Sequence, residues 1–278
     1  MSPTLPGAAG PVLHAEAEDG SLIAYRRTPA AETTPDHAAA LPPVLLVHGF
    51  GADGAITWQG TGWVEALGRA GREAVTVDLR GHGDSDAPLE PSAYRAEVQG
   101  ADLAAVLDSI GARRADVVGY SLGSRIAAAL ARREPARVRR IVIGGAGPEE
   151  LFASWDLRRA RQLLRTADTS APRADDAPDA AALGPEDAVM RAVLGTALRS
   201  GADPEALLAC IEGVAGAPLE LPPGLPALLV AGALDPVPRG AAELAREWGA
   251  DFLEIPGRDH VSTLTSRTFK DAAIRFLG

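Results

Sequence analysis

The chain has 278 residues and a formal net charge of −10, with 46% hydrophobic and 23% charged residues. This composition predicts a globular protein with a full hydrophobic core, and its acidity argues against a nucleic-acid-binding surface. The single cysteine, Cys210, excludes an intrachain disulfide and a thiolate metal cluster.

Short apolar runs alternate with amphipathic stretches along most of the chain. The pattern predicts strands at 12–15, 22–26, 44–48, 74–78, 116–119, 140–143, 227–231 and 252–255, and helices at 63–70, 95–110, 122–133, 239–248 and 265–276. Only a turn separates the first two strands, which predicts an antiparallel hairpin. From Val44 onward the alternation predicts an α/β fold, with a mostly parallel sheet of about eight strands flanked by helices.

The alternation is interrupted between residues 147 and 223. Helical patterns occur there at 149–165, 185–198 and 204–214, and a stretch rich in Asp, Ala and Pro at 167–182 predicts a flexible loop. A helical insertion after one strand of a parallel sheet lies over the carboxyl ends of the strands, where ligands bind. We therefore expect a core domain formed by 1–146 and 224–278 and a small helical cap, or lid, at 147–223.

The sequence predicts neither a signal peptide nor a membrane-spanning segment. Residues 1–12 lack the basic and apolar pattern of a signal peptide, and no apolar stretch approaches the ~18 residues of a membrane span. We therefore expect a cytoplasmic protein without a membrane partner. The sequence leaves homo-oligomer formation open.

Residues 119–123 read Gly-Tyr-Ser-Leu-Gly, directly after a predicted strand and before a predicted helix. A serine hydroxyl is a poor nucleophile unless a sharp turn presents it and a base accepts its proton. The flanking glycines permit such a turn, because larger side chains there would collide. In a chain with 30 glycines a chance match is the alternative. Ser121 is the predicted nucleophile, and the motif requires an acid and then a histidine further along the chain.

Only one histidine follows Ser121. His260 lies just beyond the last predicted strand, where a loop histidine is better explained by catalysis than by packing. Asp235 follows strand 227–231 and precedes His260, so it is the predicted acid. Asp259, beside His260, and Glu149, after strand 140–143, are weaker candidates. The other histidines are His14, His37, His48 and His82.

Nucleophile, acid and base in the order Ser, Asp, His, each at the end of a separate strand, resemble the triad of the α/β-hydrolase superfamily, in its serine esterase and haloperoxidase-like branch. The segment His48-Gly49-Phe50-Gly51 resembles that family's oxyanion loop, and residues 78–85 are similar to its Arg-Gly-x-Gly-x-Ser loop. The resemblance implies that the backbone amides of Phe50 and Leu122 form the oxyanion hole. We expect His48 to brace its loop, and Arg80 and His82 to stabilise theirs.

The resemblance implies a serine hydrolase that cleaves a small carboxylic ester or lactone through an acyl-enzyme, with no cofactor or metal and a small-molecule substrate as its partner. A serine nucleophile argues against epoxide hydrolase and haloalkane dehalogenase chemistry, since those relatives use aspartate. Carbon–carbon bond hydrolysis is an alternative, weakened because Val261 follows the histidine where such enzymes often carry tryptophan. Perhydrolase or haloperoxidase-like activity and a non-catalytic binding protein are further alternatives. Besides Phe50, the pocket candidates are Tyr120, Trp58, Trp155 and Val261, with core packing as the alternative for at least one of the two tryptophans.

A competing motif covers part of the same region. Residues 49–54 satisfy Gly-x-Gly-x-x-Gly after a strand, and Asp78 ends the next strand, where a dinucleotide-binding fold places its ribose-binding acid. The last glycine of that fingerprint lies at the start of a helix, whereas Thr57, Gly60 and Gly62 delay any helix to about residue 63. An NAD-dependent oxidoreductase is therefore the weaker interpretation.

Overall fold

An eight-stranded sheet forms the centre of the fold. The structure, a computed structural model, describes residues 10–30, 41–150, 152–167, 190, 193–195, 197–198 and 200–278. The strands are β1 Leu13–Glu16, β2 Leu22–Thr28, β3 Val44–Val47, β4 Ala74–Val77, β5 Ala115–Tyr120, β6 Val138–Gly144, β7 Ala227–Gly232 and β8 Asp251–Ile255. Their order is β1-β2-β4-β3-β5-β6-β7-β8, with β2 antiparallel to β1 and β4 and the other pairs parallel. The predicted hairpin and the predicted mostly parallel sheet are confirmed.

Helices cover both faces of this sheet. They are α1 Trp63–Arg69, α2 Ala96–Ser109, α3 Leu122–Arg133, α4 Leu157–Ala167, α5 Pro204–Val214, α6 Ala241–Trp248, α7 His260–Thr265 and α8 Arg267–Leu277. Alternate residues of β3 point to opposite faces, as expected for a strand. Leu45 and Val47 lie in one buried cluster with residues of α2 and α3, while Val44 and Leu46 lie in a second with residues of α1 and α8. Among the described residues, no helix is long and apolar enough to cross a bilayer.

The end of the chain differs from its prediction as one helix over 265–276. Two helices, α7 and α8, meet at Ser266, whose extended backbone (φ −63°, ψ 130°) interrupts the helical hydrogen bonds. The earlier start arises because Asp259 caps α7 and shares a capping box with Ser262. His260 consequently lies on the first turn of a helix.

The helical insertion, residues 147–223, is described in part. The predicted helix 149–165 is broken, because the Glu150 carboxylate accepts hydrogen bonds from the Phe152 and Ala153 amides (2.9 and 2.8 Å) and Asp156 caps a new helix, α4. The predicted helix 204–214 is confirmed as α5, with Asp203 as its N-cap. Residues 190, 193–195 and 197–198 of the predicted helix 185–198 are helical, while 185–189 and most of the predicted loop lie outside the described residues.

A buried arginine joins both ends of the insertion to the core. Arg125, on α3 and 4% exposed, donates to the carbonyls of Gly147 (2.7 Å) and Glu149 at one end and Ala217 (2.7 Å) at the other. Burial lowers the pKa of its guanidinium, and within the described residues no carboxylate lies in salt-bridge contact with it. The hydrogen bonds to these carbonyls are therefore what mainly offsets the free-energy cost of removing the Arg125 guanidinium from water.

We expect Arg125→Met to lower the free energy of unfolding by about 2–4 kcal/mol, because buried carbonyls lose a charged donor. Denaturant unfolding followed by circular dichroism measures this change. The matched control is Arg132→Met on the same helix, where Arg132 pairs with Glu97 and Glu220, both largely exposed. That variant should lose less than about 1 kcal/mol. Equal losses in the two variants would contradict the assigned role of Arg125.

Candidate active site

Ser121 occupies a strained turn between β5 and α3. Its φ of 54° and ψ of −119° make it the one non-glycine residue with positive φ in the described part of the chain. Such strain persists where the surrounding structure enforces it, often at functional sites. A Cβ on Gly119 would lie 2.6 Å from the Gly123 carbonyl oxygen, and one on Gly123 would lie 2.2 Å from the Val47 carbonyl oxygen. Both glycines of the motif are therefore required sterically.

The predicted acid and base are in contact. His260 Nδ1 lies 2.7 Å from Asp235 Oδ2, and the second carboxylate oxygen accepts the Val237 amide at 2.9 Å. The carboxylate is fully buried, whereas the imidazole is 30% exposed. Because a carboxylate can only accept, His260 carries its proton on Nδ1, and its Nε2 lone pair is free to act as a base.

Hydrogen bonds between loops set this contact. The turn after β7 is joined to the loop after β8 by the amides of Ala233 and Leu234, which donate to the carbonyls of Ile255 (3.0 Å) and Arg258 (2.9 Å). Asp259 is not a rival acid, because its side chain accepts from the Ser262 amide at 2.8 Å as a helix cap, and these hydrogen bonds lower its pKa. Asp235 is thus the acid that the fold brings to the imidazole.

The segment Gly144–Gly145 joins the histidine to the nucleophile turn. The Ser121 amide donates to the Gly144 carbonyl at 2.8 Å. Gly145 has a φ of +61°, and a Cβ there would lie 3.0 Å from His260 Cε1. Tyr120 connects the same parts: its hydroxyl donates to the His260 carbonyl, and its ring centroid lies 5.2 Å from that of the imidazole. Burial raises the pKa of Tyr120, which keeps it a phenol donor.

The two amides expected to form an oxyanion hole flank this turn. The Phe50 amide follows β3, and the Leu122 amide begins the 12-residue helix α3. Neither donates a hydrogen bond to another atom of the described chain. The N-terminal end of a helix carries a partial positive charge, so both free donors and the local field favour an anion beside Ser121.

His48 braces the loop that carries Phe50. Its Nε2 accepts the Leu79 amide at 2.9 Å, so the proton is on Nδ1, which donates to the Gly49 carbonyl at 2.8 Å. Burial lowers the pKa of His48, which favours the neutral ring. Arg80 differs from its predicted local role, because it reaches out to bind Asp102 (2.5 and 2.7 Å) and Asp19.

The pocket candidates differ in where the structure places them. Phe50 and Trp155 both pack against Phe152, whose ring centroid lies 4.9 Å from the centroid of each of their rings. Val261, 72% exposed, follows His260 at the surface. Tyr120 is buried and supports His260. Trp58 corrects the prediction: it is fully buried, because a turn of π-helix at Ala55–Gln59 folds it onto Trp63 (5.4 Å) in the core on the α1 face.

The glycine-rich segment 49–54 is used within the protein. The Gly54 amide donates to Asp78 Oδ1 at 2.8 Å, and the second oxygen of the buried Asp78 accepts from the Asp84 amide at 3.1 Å. The acid that a dinucleotide fold would offer to a ribose is therefore already occupied. This argues against the dinucleotide hypothesis.

Two curated proteins match part of this chain in sequence. Epoxide hydrolase 4 of Mus musculus is 30% identical over 128 residues, 45% of this chain and 34% of that protein. A 2-hydroxy-6-oxononadienedioate/2-hydroxy-6-oxononatrienedioate hydrolase of Cupriavidus pinatubonensis is 36% identical over 121 residues, 42% of this chain and 41% of that protein. The matches thus cover less than half of either relative.

Solved structures resemble nearly the whole length of the chain. The enol-lactonase from Burkholderia xenovorans LB400 superposes with a TM-score of 0.69 and 24% identity, over 95% of this chain and 99% of that one. A likeness at this identity concerns the fold. The family model described as alpha/beta hydrolase fold matches residues 42–254, more than half of the sequence. The chain therefore belongs to the α/β-hydrolase fold family.

Proposed function

We propose that the protein is a serine hydrolase that cleaves a small carboxylic ester or lactone through an acyl-enzyme. The observation that carries this proposal is the 2.7 Å contact between His260 Nδ1 and the buried Asp235 carboxylate. This pair lies at the carboxyl ends of the strands, where Ser121 follows β5 with a φ of 54°. A nucleophile, its base and an orienting acid are the groups that acyl transfer requires.

In this mechanism, His260 Nε2 accepts the Ser121 proton as Oγ attacks the acyl carbon. The carbonyl π electrons move onto oxygen, and the Phe50 and Leu122 amides stabilise that oxyanion. Collapse of the intermediate expels the alcohol, which takes the proton from His260. Water, deprotonated by the same imidazole, then attacks the acyl-enzyme. Collapse of this second intermediate breaks the acyl–Oγ bond and releases the acid, and Ser121 Oγ takes the proton back from His260. Asp235 stabilises the imidazolium in both half-reactions.

We also infer that the insertion is a cap over this site. Two contacts support it: the Phe152 ring lies 4.9 Å from that of Phe50, and a Cβ on Gly51 would lie 2.7 Å from Ala197 Cβ. Both residues on the insertion side meet the loop beside Ser121. Because the insertion packs closely against this loop, it limits the space beside Ser121 that an acyl group could occupy, which favours a small substrate.

Carbon–carbon bond hydrolysis is the second candidate, favoured by the 36% identity to the Cupriavidus hydrolase. The nucleophile disfavours epoxide opening. A carboxylate that opens an epoxide forms an ester, which water can cleave, whereas Ser121 would form an ether that the same site cannot hydrolyse. The two substrate classes to compare are therefore carboxylic esters, including lactones, and 2-hydroxy-6-oxodienedioates, which are cleaved at a carbon–carbon bond.

The test combines labelling with a substrate panel. We expect a fluorophosphonate probe to label Ser121, located by peptide mass spectrometry, and labelling to be lost in His260→Ala. We expect kcat/KM for short p-nitrophenyl esters or small lactones to exceed that for 2-hydroxy-6-oxononadienedioate at least tenfold. The reverse preference would favour the carbon–carbon hydrolase. Absence of labelling would contradict the serine hydrolase and favour a non-catalytic binding protein.

A further inference from the structure

His82 lies beneath the loop that follows β3, outside the cluster of Ser121, Asp235 and His260. It is 2% exposed, and each of its ring nitrogens makes a hydrogen bond. Nε2 accepts the Gly51 amide at 3.0 Å, so the proton is on Nδ1, which donates to the Arg80 carbonyl at 2.8 Å. The ring therefore joins the loop after β3 to the loop after β4 with a fixed tautomer.

The charge state of His82 suits this role. Burial, together with the neighbouring His48, lowers the pKa of His82 to about 3. The two rings lie 5.2 Å apart in an edge-to-face arrangement. A neutral ring keeps the Nε2 lone pair available to the Gly51 amide over the whole range in which a histidine-dependent hydrolase works.

The two histidines hold the peptide groups on either side of Phe50. In a trans peptide the carbonyl and the following N–H point in opposite directions. Because His48 binds the Gly49 carbonyl, it sets the direction of the Phe50 N–H. Because His82 binds the Gly51 N–H, it fixes the next peptide plane. The backbone dihedrals of Phe50 are thus fixed from both ends.

The surroundings of the loop add to this constraint. The Phe50 ring centroid lies 5.5 Å from that of His82, in an edge-to-face contact. Gly51 has a φ of +73°, and Ala197 packs against it from the insertion. Gly49 lies against the nucleophile, since a Cβ there would be 3.2 Å from Ser121 Cβ. A shift of the Gly51 amide would therefore move an N–H beside the reacting centre.

We propose that His82 is a positioning residue of the oxyanion hole: its hydrogen bond to the Gly51 amide keeps the Phe50 N–H directed at the oxyanion. This inference rests on the proposed serine hydrolase function. A donor misplaced by about 1 Å loses much of its effect on the transition state. Losing the acceptor at His82 should therefore lower kcat and leave KM nearly unchanged.

The experiment compares His82→Phe, which keeps a ring but no acceptor, with His82→Gln, which keeps an acceptor. We expect kcat for p-nitrophenyl acetate to fall about 10–100-fold in the first and to recover at least half of that loss, on a logarithmic scale, in the second. KM should change less than threefold. If His82→Phe does not fold, His82→Leu is measured in its place.

A second readout reports on the oxyanion itself. An alkyl trifluoromethyl ketone adds to a reactive serine as a hemiketal, whose ionisation is followed by fluorine NMR against pH. We expect the hemiketal to ionise at a higher pH in His82→Phe than in the wild type, by about one to two pH units, matching the loss in kcat. Looser packing alone would not move this ionisation.

The matched control is Tyr94→Phe, which removes a 2.6 Å hydrogen bond to the Pro88 carbonyl in the stretch after the His82 loop and leaves Gly51 untouched. Its kcat and hemiketal ionisation should stay at wild-type values. Wild-type behaviour of His82→Phe, or equal changes in Tyr94→Phe, would overturn the role of His82. A wild-type protein that forms no hemiketal would overturn the serine hydrolase, and this inference with it.

Discussion

We expect Ser121→Ala to lower kcat for p-nitrophenyl acetate by a factor on the order of 10⁶, because alanine has no hydroxyl with which to form the acyl-enzyme. Alanine keeps the Cβ and removes only the hydroxyl, so we expect the strained turn between Gly119 and Gly123 to be unchanged. We therefore expect the free energy of unfolding to change by less than about 1 kcal/mol. Steady-state hydrolysis and denaturant unfolding measure the two quantities.

The control for this variant is Ser109→Ala. Ser109 lies at the end of α2, and its hydroxyl contacts the Tyr25 hydroxyl at 2.9 Å, outside the site. Its removal should leave kcat within about twofold of the wild type. If Ser121→Ala kept more than a tenth of the wild-type kcat while folded, Ser121 would not be the nucleophile.

We expect Asp235→Asn to lower kcat about 10⁴-fold. The Val237 amide donates to Asp235 Oδ1 at 2.9 Å, so it selects the oxygen of an asparagine at that position. The asparagine NH₂ then faces His260 Nδ1, which must accept, and the imidazole proton moves to Nε2. A protonated Nε2 cannot take the proton of Ser121. Hydrolysis kinetics measure the loss.

Asp259→Asn is the matched control, because Asp259 precedes His260 directly and caps α7. We expect it to keep kcat within about threefold, with a small loss of stability from the weaker cap. A larger loss of kcat in Asp259→Asn than in Asp235→Asn would reassign the acid. Together the two variants separate a group that acts on the imidazole from one that shapes its helix.

Most of the fold follows from local sequence patterns. Buried strands such as β3 and β5 are short β-branched or leucine-rich runs, and their positions agree with the prediction within a few residues. The misplaced helix boundaries arise from single polar residues. Asp156 and Asp259 each begin a helix by accepting backbone amides, and Ser266 ends one with an extended backbone. The pair Asp259 and Ser262, spaced as in a capping box, could have predicted the start of α7 from the sequence.

The site was predictable only where the chemistry restricts the choice. One histidine follows Ser121, and Asp235 follows the strand that lies between them in the chain, so Asp235 and His260 could be paired in advance. His82 could not be assigned to Gly51, because that contact joins residues 31 positions apart through two loops. The sequence did not show which tryptophan packs in the core; Trp58 does so, because one turn of π-helix, invisible in the hydrophobic pattern, directs its side chain there.

The most direct test of the central claim is to trap the covalent intermediate. The wild-type protein is mixed with p-nitrophenyl acetate, quenched in acid within milliseconds to seconds, and examined by intact and peptide mass spectrometry. We predict one acetyl group per chain, located on Ser121 and appearing with a burst of p-nitrophenol. Turnover of the ester without any acetylated Ser121, or with the acetyl group on another residue, would contradict the account.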